Sequence, residues 1–455
     1  MTPAPPLPLA AASALDTGDT AWLLASSALV LLMAPGLALF YGGMVRSKSV
    51  LNMMMMTFGA LAAIVVLWVL VGYSLAFGDD LGAGLLGDPR QYAGLGQLMA
   101  PASNGGSSVP LILFAVFQGL FCVITGALVS GAIADRARFG AWMVFVSLWT
   151  LLVYAPVAHW VFDVSSDGHT GGWLANRVGL VDFAGGTAVE ICSGASGLAL
   201  AIVLGHRIGF GKDPMRPHNL TLVMLGAGLL WFGWFGFNAG SALGADQTAA
   251  VVFTTTLIAG AAGALGWLAL ERFRDGHATS LGAASGMVAG LVAITPSCGS
   301  LSPVGAIVMG GAAGVICALA VGLKYRFRYD DSLDVVGVHL VGGLVGTFGI
   351  GLIATAAAPT GVDGLLYGGG VDQLGKQLVG GGAVLVYAFV VSGILGLVVE
   401  KLLGFRIDEE HEISGIDLVV HAENAYDLHA TAGARSAGHG VLSGITATQR
   451  EDNIR

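Results

Sequence analysis

Charge is scarce in this sequence. Only 11% of its 455 residues are Asp, Glu, Lys or Arg, against about 25% in an ordinary soluble domain. That shortage excludes a disordered chain, which needs high charge and few apolar residues. Basic residues are the scarcer sign, 20 against 29 acids. Nucleic acid therefore finds no electrostatic footprint here. There are four cysteines, Cys122, Cys192, Cys298 and Cys317. They lie in or beside apolar runs and suggest no disulfide framework. The sequence shows no metal-ligand cluster, nucleophile elbow or phosphate loop. It does not read as an enzyme, and no cofactor is implied. Nor is there a soluble domain: the longest hydrophilic stretch is the tail from Phe405 onward.

What fills the chain instead is apolar residues, 55% of the total, and 71 glycines. Glycine lets membrane helices approach closely. A helix needs about 17–25 mostly apolar residues to cross a bilayer. Eleven such blocks follow one another: 21–44, 51–77, 109–134, 139–161, 184–204, 219–243, 250–271, 280–295, 303–323, 334–357 and 375–404. The eighth is short and Gly-rich. The fold class expected is an all-α integral membrane protein. An odd number of spans puts the termini on opposite sides. One set of connections carries Arg46, Lys48, Arg136, Arg138, Arg207, Lys212, Arg216, Arg272, Arg274, Lys324, Arg326 and Arg328, joined by the basic residues of the C-terminal end. The other set carries only Arg90, Arg177 and Lys376. The positive-inside rule makes the first set cytoplasmic, with the N-terminus outside and the C-terminus inside.

The chain then divides into a 1–20 extracytoplasmic segment, a 21–404 helical domain and a 405–455 cytoplasmic tail. Ala12-Ser13-Ala14 resembles a signal-peptidase site, but the charged n-region is missing. The tail holds nine acids and four Arg, a net −5 of the total −9. Its last stretch, from Ala430, is small, polar and expected to be disordered. Gly236-x-x-x-Gly240, Gly282-x-x-x-Gly286-x-x-x-Gly290, Gly310-x-x-x-Gly314 and Gly342-x-x-x-Gly346 read as close-packing faces rather than chemistry.

Ionisable residues inside spans are costly and normally face a bundle interior or an aqueous path. Glu190 falls in the fifth span and His339 in the tenth. The bland reading is a protonated Glu190 and a satisfied core histidine. Asp182 and Asp334 precede the same two spans and are expected to cap them. Asp182 also lies on the outer side, where a cation would enter. Glu271 and Glu400 sit beside Arg272 and Lys401 and read as solvated pairs. Phe117 and Phe121 share a helix face at i,i+4. Trp231, Phe232, Trp234, Phe235 and Phe237 crowd the sixth span. Most such aromatics are core or interface belt, and a few could gate a pore or face a cation.

Several segments in order resemble signatures of the ammonium transporter family (Amt/Mep/Rh), its bacterial Amt branch above all. They are Phe117-Gln-Gly-Leu-Phe121, Asp182-Phe-Ala-Gly-Gly-Thr-Ala-Val-Glu190, Lys212-Asp-Pro-Met-Arg-Pro-His-Asn219 and Gly233-Trp-Phe-Gly-Phe-Asn-Ala-Gly-Ser241. Asp334-Val-Val-Gly-Val-His339 and Gly415-Ile-Asp-Leu-Val-Val-His-Ala-Glu-Asn-Ala-Tyr426 complete the set. The likeness runs from about Leu29 to Tyr426. It implies an inverted five-helix repeat, a homotrimer with one pore per protomer, and ammonium/ammonia transport across a bacterial cytoplasmic membrane. By position, Ser241 would contact ammonium in an outer vestibule. Phe121 and Phe237 would form a stacked gate below it. Asp182 would support recruitment without touching the ion. His339 would be the second of a twin-histidine pair.

Two positions depart from the pattern. Glu190 stands where the first histidine would be, as in some fungal relatives. Phe162 stands where a vestibule tryptophan would be, with Trp160 two residues away. A Glu190–His339 pair can hold negative charge in the pore, so charge movement with transport is expected. Phe is a weaker cation–π partner than Trp. By span counting the two pore residues sit at different depths, so their adjacency follows from the resemblance alone. A sensor that binds ammonium without conducting is the alternative. An Amt-like sensor would carry a signalling domain after the last helix, and this tail is too short for one. The tail segment also implies a PII-type regulatory protein as a partner at the cytoplasmic face.

Overall fold

A computed structural model describes residues 15–100, 108–166 and 168–426. The signal-like Ala12-Ser13-Ala14 and the stretch from Ala430 lie outside these. Among the described residues ten helices are long and apolar enough to cross a membrane, and there is no strand. They are α1 (Thr17–Met44), α2 (Val50–Phe77), α3 (Leu111–Ile133), α4 (Phe139–Phe162), α5 (Gly186–Leu204), α6 (Leu220–Gly240), α7 (Gln247–Arg274), α9 (Pro303–Phe327), α10 (Val336–Ile353) and α11 (Asp372–Leu403). The eighth, α8 (Ser280–Ile294), has only 15 residues. Beyond its end the chain does not reach the surface: Thr295, Ser297, Cys298, Ser300 and Leu301 are all buried. A short α12 (Glu409–Ser414) follows α11.

Glycine sets how the helices meet. A Cβ on Gly226 would strike the backbone of Gly36 and Phe40, and one on Gly233 would strike Met33 and Leu29. Gly43 lies against Asn219 and Val223, and Gly240 against Ser26. Partner numbers fall on α1 as they rise on α6, so these helices cross antiparallel along their whole length. The same pattern joins α5 to α10. Gly197 meets Val335, Gly194 meets Leu340, and Gly343 meets Glu190 and Gly186. First crosses sixth and fifth crosses tenth, each antiparallel. The close-packing glycines behave as expected, with Gly290 and Gly310 both seated on the Ala259 carbonyl and Gly314 on that of Gly263.

Wide turns accommodate local breaks. Pro156 has no N–H for the carbonyl of Leu152, four residues back. A π-helical segment, Thr150–Tyr154, precedes it. The Tyr387 hydroxyl donates to that Leu152 carbonyl at 2.8 Å.

The basic face is tied together by buried ions. Arg207 donates to Asp330 through its backbone N–H at 2.7 Å, Nε at 3.0 Å and Nη2 at 2.8 Å. Arg136 Nη1 lies 4.0 Å from the same carboxylate. Burial would push the Asp330 carboxyl up, but the Arg207 hydrogen bonds and the two guanidinium charges outweigh it and hold it at about 2. Two expectations fail on this face. Glu271 and Glu400 are not solvated pairs. Glu271 accepts from Trp267 Nε1 at 3.1 Å and from the Thr279 N–H at 2.9 Å. Glu400 accepts from the N–H groups of Phe405 and Arg406 at 2.7 and 2.8 Å. Each carboxylate satisfies donors that the adjoining chain reversal leaves free.

Asp330→Asn takes the counter-charge from buried Arg136 and leaves Arg207 with Asp135 alone, at 3.2 Å. The expected cost is about 3–5 kcal/mol, read as a lower Tm of the detergent-solubilised protein than for the Asp88→Asn surface control.

Candidate functional site

Both α5 and α10 begin inside the protein, and each is introduced by an aspartate eight residues before its central ionisable group. Asp182 precedes Glu190 and Asp331 precedes His339. Asp182 accepts four backbone N–H bonds. Gly185 and Gly186 reach one oxygen at 2.9 and 2.7 Å, and Thr187 and Ala188 reach the other at 2.7 and 3.2 Å. The cap expected of Asp182 is therefore present. The cap expected of Asp334 is not. Asp331 takes that place, accepting from Val335 and Val336 at 3.1 and 2.7 Å. Asp334 instead pairs with Lys324 Nζ at 2.6 Å, on a residue with φ of 62°. The buried stretch Asp330–Leu333 lets α10 start well inside the surface.

That depth removes the conflict over Glu190 and His339. Both helices open with a π-helical turn, Gly186–Ile191 and Val336–Leu340. The two side chains meet there: His339 Nδ1 lies 2.6 Å from Glu190 Oε2. They are 4% and 1% exposed. Both line a cavity of about 10 Å³, roughly the space one water occupies. Its other walls include Trp234, Phe237, Ile124 and Val288.

Above this cavity stands a pair of rings. Phe121 and Phe237 stack with centroids 4.0 Å apart and planes 18° apart. Phe117 meets Phe121 edge-on at 5.0 Å. Phe237 lines the lower cavity and Phe121 the space above, so this pair partitions them. Of the α6 aromatics, Trp234 and Phe237 turn inward, whereas Phe232 is 57% exposed and Phe235 stacks on Phe253.

The upper space is an open vestibule of about 830 Å³ on the face opposite the basic one. Ser241, Phe162 and Asp182 all line it. The Ser241 hydroxyl donates to the Phe237 carbonyl at 2.8 Å, which leaves its lone pairs free to accept. Phe162 stands edge-on to Phe121 at 6.3 Å. Trp160 does not substitute for the missing tryptophan. Its Nε1 donates to the Leu85 carbonyl at 2.8 Å, and its ring packs on Tyr387 and Trp173.

The vestibule lining also holds Asp19, Asp79, Asp163 and Asp246, with neither lysine nor arginine among the described residues. One cluster there has no counterpart in the sequence reading. His169 lies between two carboxylates, 2.6 Å from Asp79 and 2.8 Å from Asp163. Asp163 in turn faces His159 at 3.2 Å, and His159 faces Asp80 at 3.5 Å. The i,i+4 spacing of His159 and Asp163 was a usable signal. Nothing in the sequence links Asp79 to a histidine 90 positions on.

Every predicted site residue thus falls on one path. Ser241, Phe162, Asp182 and Phe121 border the vestibule, Phe237 spans the partition, and Glu190 with His339 sits beneath. The arrangement can admit a cation to a carboxylate-rich, aromatic-walled mouth. Further in it presents rings and aliphatic side chains around one acid–imidazole pair.

Comparison with known proteins is consistent along nearly the whole chain. The family model described as Ammonium Transporter Family matches residues 21–426. The ammonium transporter of Mycobacterium tuberculosis (strain ATCC 25618 / H37Rv) is 55% identical over 442 residues, covering 92% of each chain. That of Bacillus subtilis (strain 168) is 45% identical over 418 residues, covering 90% of this chain and 99% of its own. Among solved structures, Saccharomyces cerevisiae Mep2 superposes with a TM-score of 0.78 at 37% identity, covering 88% and 89%. A structure titled Sensor Amt Protein gives 0.81 at 26% identity, covering 88% and 98%.

Asp182→Ala orphans four backbone N–H groups at the start of α5. A loss of at least about 2 kcal/mol is expected, with Asp182→Asn intermediate, as measured by thermal unfolding in detergent.

Proposed function

Because the chain belongs to the ammonium transporter family, we propose that it draws ammonium into the vestibule, strips one proton there, and passes ammonia between the Phe121 and Phe237 rings to the Glu190–His339 pair. The observation that carries this reading is that pair, a short acid–imidazole hydrogen bond in a water-sized cavity directly below the stacked rings.

Selectivity follows from chemistry rather than size. Ammonium and potassium carry the same charge and have similar radii. An apolar constriction separates them only if the passenger first gives up a proton, since potassium has none to lose. Each pKa unit costs about 1.4 kcal/mol, so deprotonating ammonium near neutral pH costs roughly 3 kcal/mol. The Ser241 lone pairs, the phenyl faces of Phe121 and Phe162, and the vestibule carboxylates favour the cation and concentrate it at the mouth, and the cost of deprotonation is met by desolvation against the apolar rings. With Phe162 in place of an indole the cation–π share is smaller, and the carboxylates carry more of the recruitment.

In the pore the carboxylate accepts from imidazole Nδ1–H and sets its tautomer, with Nε2 left for the passenger. The two groups hold protons as a unit. Unlike two neutral imidazoles, the unit can carry negative charge when one proton leaves. A proton shed by ammonium in the vestibule and relayed past the rings by water can therefore be taken up by the unit and moved inward, so transport carries net charge.

The face with most of the Lys and Arg is then cytoplasmic, with the N-terminus outside, in a bacterial inner membrane. The apolar side chains exposed along the helices, such as Leu24, Val66, Leu265 and Val386, face lipid and neighbouring protomers of a trimer. Residues 405–426 of the tail pack beneath the helices and offer a docking surface for a PII-type regulator.

In proteoliposomes, Glu190→Ala is expected to lower the ammonium-evoked current by about tenfold or more, the scale of a lost proton-transfer group. Glu190→His should transport with less charge moved per ammonium. Unchanged current and unchanged potassium exclusion in Glu190→Ala sinks the relay. Failure of the wild-type chain to restore growth of a transporter-null cell on low ammonium favours the sensor reading instead.

A further inference from the structure

One carboxylate in the vestibule wall depends on a single side chain. Asp163, directly after the last residue of α4, is 4% exposed, yet it belongs to the lining. Its Oδ2 makes no hydrogen bond. The His159 ring faces that oxygen at 3.2 Å, but His159 Nδ1 bonds the Ala76 carbonyl at 3.0 Å. The other oxygen, Oδ1, meets His169 Nε2 at 2.8 Å. Among the described residues His169 is the one hydrogen-bond donor to this carboxylate.

The far edge of the His169 ring is anchored as well. Its Nδ1 meets Asp79 Oδ1 at 2.6 Å, on the loop after α2. Gln91 Nε2 reaches the second Asp79 oxygen at 3.3 Å. A carboxylate only accepts, so each ring nitrogen brings a hydrogen, and a ring that brings both is an imidazolium. One cation thus joins two carboxylates on opposite edges of its ring. The turn that carries it is closed by its own bonds. Ser166 and His169 exchange backbone hydrogen bonds at 3.1 and 3.0 Å, and Gly171 N–H donates to Ser165 Oγ.

The consequence falls on Phe162. Its ring stands edge-on to Phe121 at 6.3 Å and reaches the turn at Gly185, where an added Cβ would lie 3.3 Å from the ring tip. A phenyl ring has no N–H to tether it, so its place depends on where α4 ends. Asp163 ends it, and the Asp163 carbonyl receives Gly172 N–H and Asn176 Nδ2, both at 2.9 Å. A buried carboxylate stripped of its donor is heavily penalised. It turns toward the vestibule water and shifts the end of the helix with it. We propose that His169 is a positioning residue for the ammonium entrance: bridging Asp79 and Asp163, it keeps the Asp163 carboxylate in the wall and so fixes the Phe162 ring beside Phe121.

The groups packed around the bridge are consistent with that role. From the loop after α2 come Asp79 and Asp80, flanked by Asp88 and Arg90, with Tyr92. From α2 comes Tyr73, and from the end of α4 come His159 and Asp163. The hydrogen bond to Asp163 does most to lift His169 from 6.5 to about 9. Burial opposes it, and the Asp163 charge and the bond and charge of Asp79 add to it. A raised value means the bridge is fully present below about pH 6.5 and is lost as pH climbs through about 9.

This inference rests on the reading of the vestibule as the ammonium entrance, but the ring can be watched without transport. The probe is para-fluorophenylalanine placed at position 162 of the full-length protein in detergent, read by fluorine NMR. At neutral pH the otherwise native protein should give one resonance, and His169→Gln a displaced one. Asp79→Ala, which frees the far end of the bridge, should displace it in the same direction and add nothing to His169→Gln. As pH rises through about 9, the native resonance should move to the His169→Gln position, while that of His169→Gln stays in place. In proteoliposomes His169→Gln should raise the apparent KM for ammonium by about threefold, the scale of one exposed cation–π contact. The maximal rate should hold, and the effect should disappear once Phe162 is replaced, in Phe162→Ala. An unmoved resonance in His169→Gln overturns the proposal. So does an Asp79→Ala displacement that adds to it, or a KM rise that persists in Phe162→Ala.

If His169→Gln does not fold, the native titration decides, and a resonance that does not move through about pH 9 overturns the proposal. Fluorine behaviour as expected, together with no ammonium uptake by the wild type, supports the positioning role and refutes the transport reading.

Discussion

A helix that starts inside a membrane protein has up to four N–H groups with no partner and no water to supply one. Here that constraint arises twice, at α5 and α10, and an aspartate answers it each time. Everything at the centre depends on those two carboxylates. Because α5 and α10 begin deep and run antiparallel, residues eight positions past each cap arrive at the same depth. Glycine then closes the distance, with Gly343 seated against Glu190 and Gly194 against Leu340. A hydrogen bond of 2.6 Å between Glu190 and His339 is the geometric consequence.

Charge distribution along the path follows one logic. Where water reaches, in the vestibule, carboxylates are plentiful and cost little. Where it does not, the lining shrinks to rings and aliphatic side chains around a single acid–imidazole pair. A lone ion there would cost several kcal/mol, whereas a hydrogen-bonded pair holding two protons is neutral overall and avoids most of that penalty. The stacked Phe121 and Phe237 mark the boundary between the two regimes. What crosses their faces has to be small and cheaply desolvated.

Hydropathy was enough to read the architecture. The apolar blocks anticipated the helices to within a few residues, and the fragment at 280–295 was rightly singled out as short. Length failed to say why: the chain after Ile294 continues as buried turn rather than helix. Span counting also misplaced the pore pair, because it assumes that each span begins at the membrane surface. The assignment of Asp334 as the cap failed for the same reason. The eye takes the acid nearest the apolar run, but the chain turns at Asp334 and the free N–H groups point to Asp331. Glu400 was misread because a neighbour in sequence, Lys401, suggested an ion pair, while its real partners are N–H groups further along the reversal. The link between Asp79 and His169 was invisible because it joins two loops that no periodicity connects.

The underside shows how the two helical halves are made to act as one body. Glu412 of α12 accepts from Ile208 N–H at 2.8 Å and pairs with Arg406 at 2.9 Å, with Arg46 at 3.6 Å. Asp417 accepts from the first N–H groups of α2, those of Leu51 and Asn52. Tyr426 reaches His218, which also bonds the Val45 carbonyl just past α1. The tail thus touches the ends of α1 and α2 in the first half and the α5–α6 connection that joins it to the second. Lifting the tail therefore carries Glu412 and Asp417 into water and, in one event, takes a partner from Arg46, from the Ile208 N–H and from the start of α2. A segment held by charged contacts of that kind is either seated or released, with little stable ground between, and seating it couples the connections that set the relative positions of α5 and α10.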